Sequence, residues 1–209
     1  MSGGGKADTS LMGVPLIRPA VAPLSDRFRS DADEVIARYP KGQERSALLP
    51  LLYLVQGEHG FVSSQGISAI SEMLGLTRAE VAGVASFYTM FKRSPQGRWL
   101  ISVCTQPACA FAGGTELIRR LEETLGVERG GTSPDGTISI EEVECLCACD
   151  GAPVFSVNYE NYERMAVEDA VSMVESLRSG GEPPAGARGE IPADFKTVSR
   201  RMSGVEAPR

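Results

Sequence analysis

The sequence predicts an α+β fold, a helical bundle over residues 25–94 followed by a mixed unit of strands and helices over 97–178. Three observations carry that prediction. Apolar residues recur with a helical period from Asp31 to Phe91. After the turn Ser94-Pro95-Gln96-Gly97 the period changes to that of strands. Two cysteine pairs, Cys104 with Cys109 and Cys145 with Cys149, each directly follow a stretch with strand character.

Residues 1–24 mix Gly, Pro and isolated apolar residues without a period and read as a flexible arm. A first helix is expected over Asp31–Tyr39, presenting Val35 and Ile36 and stopping at Pro40. A second, from Gln43 to Gly57, puts Leu48, Leu51, Leu52 and Val55 on one face and should kink at Pro50. The third, Ser64 to Leu74, keeps Ile67, Ile70 and Leu74 in step and ends at Gly75, suited to a left-handed cap. Thr77 and Glu80 have the spacing of a capping box and open a fourth helix through Val81, Val84, Ala85 and Tyr88. Phe87, Tyr88 and Phe91 at helical spacing read as core rather than as a docking surface. His59, at a helix end, reads as a solvated cap residue.

In the second unit Arg98–Val103 is a strand ending at Cys104. Thr115–Leu125 is a helix closed by Gly126, and Thr137–Glu144 is a strand ending at Cys145. A connection of that length between strands implies a right-handed parallel crossover. A hairpin of Val154–Val157 with Tyr162–Met165 follows, then a helix marked by Val167, Ala170, Val171, Val174 and Leu177. Residues 179–209, rich in Gly and Pro, read as a flexible tail, helical around Phe195–Met202 only where a partner supplies a surface.

Composition narrows the function. The chain has 209 residues, a formal net charge of -6 and 42% hydrophobic residues. An acidic chain has no general attraction to nucleic acid or anionic lipid. The longest apolar run, Ala47–Val55, contains Pro50 and is far too short to span a bilayer, so the chain reads as cytoplasmic with no direct membrane insertion. The segment Ser68–Phe87 has the outline of a helix-turn-helix. Its second helix, however, offers Glu80, valines and alanines where a DNA reader needs basic groups.

Five cysteines in a reducing compartment point to metal or redox chemistry rather than a disulfide framework. Parallel neighbouring strands put both cysteine loops at one sheet edge. Four thiolates there can hold a [2Fe-2S] cluster, a [4Fe-4S] cluster or zinc. A single histidine closes the Rieske option. No residue set has the glycine fingerprint or lysine of a nucleotide site, Gly113-Gly114 included, so electrons must arrive from another chain.

The strings ARYPKGQERSALLPLLYLVQGEHGFVS, VASFYTMF, CTQPACA and TSPDGTISIEEVECLCACDGAPV resemble the NuoE family, the E subunits of bacterial NADH:quinone oxidoreductase, respiratory complex I. The resemblance covers Ser30 to Leu177. It implies a thioredoxin-like [2Fe-2S] ferredoxin domain after the bundle, with cluster ligands at Cys104, Cys109, Cys145 and Cys149 and no catalytic residue of the chain's own. It further implies an electron-transfer component of the NADH-oxidising module, exchanging single electrons with the FMN of the flavoprotein, or F, subunit. That partner carries NADH, FMN and a [4Fe-4S] cluster, and the G subunit is another neighbour in a complex on the cytoplasmic face of the inner membrane. The equivalent small subunit of an NAD-linked formate dehydrogenase or hydrogenase is the alternative. One departure stands out: the family has glycine in the middle of C-L-G-x-C, whereas this chain has Cys147, either a spare thiol or a competing ligand, with the spare thiol favoured because a change of ligand would strain a loop set by Cys145 and Cys149.

Overall fold

A computed structural model describes residues 10–11, 14–15 and 21–205. Most of the expected N-terminal arm lies outside the described residues. Within it, β1 (Ser10–Leu11) and β2 (Val14–Pro15) pair antiparallel.

The bundle starts earlier than its period suggests. Ser25 accepts the Phe28 N–H and caps α1 (Asp26–Ala37), which buries Phe28, Ala32 and Val35 as one stripe. A 3-10 turn, Glu44–Ala47, leads into α2 (Leu48–His59). Pro50 is the third residue of α2, where a backbone N–H would have no intrahelical partner, so the kink expected there has no cause. Ser63 caps α3 (Ser64–Leu74), and Gly75 closes it at φ 62°. Thr77 and Glu80 form the capping box that opens α4 (Arg78–Phe87). Leu51, Leu52, Val55, Ile70 and Val81 are fully buried among these helices. Helices α3 and α4 thus spend their apolar faces on this core. Of the three aromatics expected there, only Phe91 is buried; Tyr88 leaves the helix in an extended conformation, and Phe87 stays 78% exposed.

The second unit is a four-stranded sheet in the order β4-β3-β5-β6. β3 (Trp99–Cys104) and β4 (Ile138–Val143) run parallel with Cys104 opposite Val143. β5 (Val154–Val157) joins β3 antiparallel, and β6 (Glu160–Glu163) completes the hairpin. Between β3 and β4 come α5 (Pro107–Phe111), a short helix where the sequence suggests only a loop, and α6 (Gly114–Leu125). α6 and α7 (Val167–Arg178) cover one face of the sheet, where Ile101, Val103, Ile140, Phe155 and Val157 meet Leu117, Leu121, Ala170 and Val174.

The C-terminal stretch departs from its reading as a tail. Capped by Asp194, α8 (Phe195–Met202) packs on α2, with Phe195 1% exposed and Ser199 fully buried. The surface the helix needed comes from the chain itself. Gly57 lets the two helices close in, since a Cβ there would lie 3.2 Å from the Arg200 nitrogen and the Lys196 carbonyl. Buried Gln56 donates to Ser199 Oγ (3.2 Å) and the Met90 carbonyl (3.1 Å), and accepts the Lys92 N–H (2.8 Å). The Phe195 N–H donates to the Arg98 carbonyl just before β3, so α8 ties the bundle to the sheet.

Candidate iron-sulfur site

Cys104 ends β3 and Cys109 lies within α5, both buried. Cys145 comes two residues after β4, and Cys149 opens the 3-10 turn Cys149–Gly151; both are exposed. The parallel register of β3 and β4 brings the two loops side by side, and the Cys104 thiol donates to the Glu144 carbonyl at 3.7 Å. Thiol contacts link Cys104 with Cys109 and with Cys145, and Cys145 with both Cys147 and Cys149. All four predicted ligands therefore meet at one sheet edge. Among the described residues no three His, Cys, Asp or Glu side chains close round one point tightly enough for a single ion. The contacts join all four thiols into one set, and four such thiolates can hold a [2Fe-2S] cluster.

Gly114 makes the first loop possible. A Cβ on it would stand 2.4 Å from the Cys104 carbonyl oxygen and 2.9 Å from that of Cys109. The start of α6, the positive end of its dipole, is thereby pressed against the loop that carries two thiols. In the second loop the Cys147 N–H points at Cys145 Sγ, 3.3 Å away, and holds that thiol below the usual cysteine range. Cys109 is pushed up to about 11, first by burial and then by its contact with Cys104. The charge of Cys145 raises Cys149. A group that binds all four must displace their protons, and binding strengthens as pH rises.

Cys147 itself is exposed and sits at φ 56°, the left-handed region that glycine occupies without strain. That conformation is the physical reason for a glycine in C-L-G-x-C. It also aims the residue's N–H at Cys145. Asp150, beside Cys149, is ion-paired: Arg188 contacts both its carboxylate oxygens at 3.0 and 2.9 Å and also pairs with Glu163 at 2.6 Å. Arg188 belongs to the stretch read as tail, so no sequence signal placed it here. His59, 45 positions before the first cysteine, takes no part; its Nδ1 pairs with Ser63 Oγ at 2.8 Å.

The family model of thioredoxin-like [2Fe-2S] ferredoxins matches residues 32–178, which include both cysteine loops. The chain belongs to this family. The E subunit of NADH-quinone oxidoreductase from Mycobacterium tuberculosis is 45% identical over 183 residues, covering 88% of this chain and 71% of that protein. Subunit 2 of the same enzyme from Thermus thermophilus is 40% identical over 149 residues, covering 71% of this chain and 82% of its own length. Among solved structures, an NAD+-reducing [NiFe]-hydrogenase shares the fold with a TM-score of 0.55 and 22% identity, over 62% of this chain and 22% of that one.

The cofactor of this ferredoxin family is a [2Fe-2S] cluster, and the site fits one: four thiols, no histidine, a backbone N–H aimed at a sulfur, and a glycine cradle behind the first pair. Among the described residues no helix is long and apolar enough to cross a membrane.

Proposed function

We propose that this chain is the electron-transfer component of the NADH-oxidising module of NADH:quinone oxidoreductase, with a [2Fe-2S] cluster held by Cys104, Cys109, Cys145 and Cys149. The cluster supplies one-electron storage, exchanged with the FMN of the flavoprotein (F) subunit. The observation that carries the reading is the asymmetry of the site. Cys104 and Cys109 anchor in the core, whereas Cys145 and Cys149 face outward, so a cluster held by all four has an edge that a docked partner can approach. A neighbouring G subunit and a place on the cytoplasmic face of the inner membrane belong to the same reading. Relatives 45% and 40% identical, both named as subunits of NADH-quinone oxidoreductase, favour it over a formate dehydrogenase or hydrogenase.

The test is purification of the tagged chain from its own cell. A protein with visible iron-sulfur absorbance, about two irons per chain and a flavoprotein among proton-pumping subunits is expected. Cys104→Ala should remove the iron. Co-purification with a nickel or molybdenum subunit would transfer the chain to the alternative, and a colourless zinc protein would overturn the reading.

A further inference from the structure

On its way from α7 to α8 the chain passes along β6, the last strand of the sheet, and delivers Arg188 to the second cysteine loop. The Tyr162 hydroxyl donates to the Pro184 carbonyl at 2.6 Å, and the Ala187 N–H donates to the Asn161 carbonyl at 2.7 Å. Farther along, the Asn158 side chain donates to the Ala193 carbonyl at 2.9 Å. This strap therefore holds Arg188 from both sides. Arg188 lies beyond residue 178, where the family match ends.

The loop that receives it is built round Cys149. The Gly151 N–H donates to the Ala148 carbonyl at 2.9 Å and closes the turn Cys149–Gly151. Two arginines hold the residue next to the cysteine. Arg188 reaches both carboxylate oxygens of Asp150, and Arg164, at φ 54°, donates through its guanidinium to the Asp150 carbonyl at 2.6 Å. The Arg164 N–H donates to the Gly151 carbonyl at 2.9 Å. Against the same turn stands Glu163, whose side chain is only 6% exposed; a Cβ on Gly151 would lie 2.2 Å from its Oε2. Arg188 Nε lies 2.6 Å from Glu163 Oε1, and Glu163 has no other ion-pair partner among the described residues.

An exposed arginine–aspartate pair contributes little by itself, so the contact with Asp150 alone would give Arg188 no particular role. Glu163 changes the balance. A carboxylate so poorly reached by water is costly to leave unpaired, and the guanidinium fork lets one side chain pair with it and grip Asp150 at once. Strap, buried carboxylate and cysteine turn are thus coupled through one residue. We propose that Arg188 is a positioning residue for the cluster: it fixes the turn that carries Cys149 and offsets the charge of Asp150 and Glu163, which would otherwise disfavour the more negative, reduced cluster. This role rests on the four-cysteine assignment above and adds to it a determinant from outside both cysteine loops.

Redox titration and iron release to a chelator, both on the cluster-loaded full-length chain, test it. Arg188→Ala should speed iron release about fivefold and make the cluster harder to reduce, by about threefold in the equilibrium or roughly 30 mV for one electron. Adding Glu163→Gln to that variant restores the local charge, so the midpoint should return toward the wild-type value and release should slow. Arg188→Lys keeps the charge but not the fork: a midpoint near wild type with intermediate release is expected, and this variant carries the test where Arg188→Ala takes up no cluster. Arg178→Ala, which removes the same charge from the pair with Asp135 before the far end of β4, should change neither quantity. Release within twofold of wild type with an unchanged midpoint in the Arg188 variants, no recovery in the double variant, or equal effects of Arg178→Ala overturns the proposal. A wild-type chain that holds no iron, or a Cys149→Ala chain that keeps all of it, overturns the four-cysteine assignment and the proposal with it.

Discussion

The bundle and the cluster domain use the same physical means to different ends. In the bundle every positive φ among the described residues falls on a glycine, Gly42, Gly60 and Gly75, and the interior is apolar apart from buried Gln56. In the cluster domain four non-glycine residues, Cys147, Asn158, Tyr159 and Arg164, hold positive φ. Buried Ser102 and Ser156 stand on its sheet where apolar residues would pack better. Left-handed conformations at such residues cost of order 1–3 kcal/mol each and persist only where surroundings impose them. The cluster domain can carry them because its other face buries a full apolar core under α6 and α7. The lesson is a division of labour within one sheet, with the apolar core on one face and the thiols at the end of the strands.

The sharpest way to break that comparison is Gly114→Ala. The added Cβ would collide with the Cys104 carbonyl, so iron loading should be abolished while far-UV circular dichroism still reports the bundle helices. Full iron content in this variant would show that the first cysteine loop is not held by close approach. Next in size, Leu52→Ala in the bundle core should cost about 2–5 kcal/mol in urea unfolding, with iron per folded chain unchanged. Loss of iron in step with stability would mean that the two regions are one cooperative unit through α8. Thr77→Ala should cost about 1 kcal/mol by removing the capping box of α4, again without effect on iron.

The smallest effect concerns pH. The Ser133 hydroxyl, the Arg178 guanidinium and the Thr137 N–H hold Asp135 well below the usual carboxylate range. The unfolded chain therefore takes up its proton first as pH falls, so Asp135 contributes stability above the ordinary aspartate range that fades below it. Because the side chain is exposed, the contribution is small. Asp135→Asn should flatten the acid limb of stability slightly, measured by urea unfolding between neutral pH and pH ~3; an unchanged limb would show that the ion pair with Arg178 is screened out.

Most of the helices and strands are legible in the sequence because their signals are local. Thr77 with Glu80, Gly75 and Gly126 act within one helical turn, and the apolar stretches before Cys104 and Cys145 mark β3, which ends at Cys104, and β4, which stops two residues before Cys145. The departures have separate causes. The kink expected at Pro50 fails because a proline's effect depends on where the helix begins. The first helix begins before its apolar period does because Ser25 sets its start. α5 escapes the sequence because it is too short to show a period.

By itself the sequence determined most of the order of elements and the two cysteine pairs, properties carried by residues a few positions apart, and its composition left a single histidine. Only the tertiary structure decided that α8 docks on α2, that Arg188 pairs with Asp150, and that Glu141, Ser102, Ser156 and Asn161 line up at one level of the sheet. Those contacts join residues far apart in the chain, and they form only when burial of the two cores has brought the strands into register.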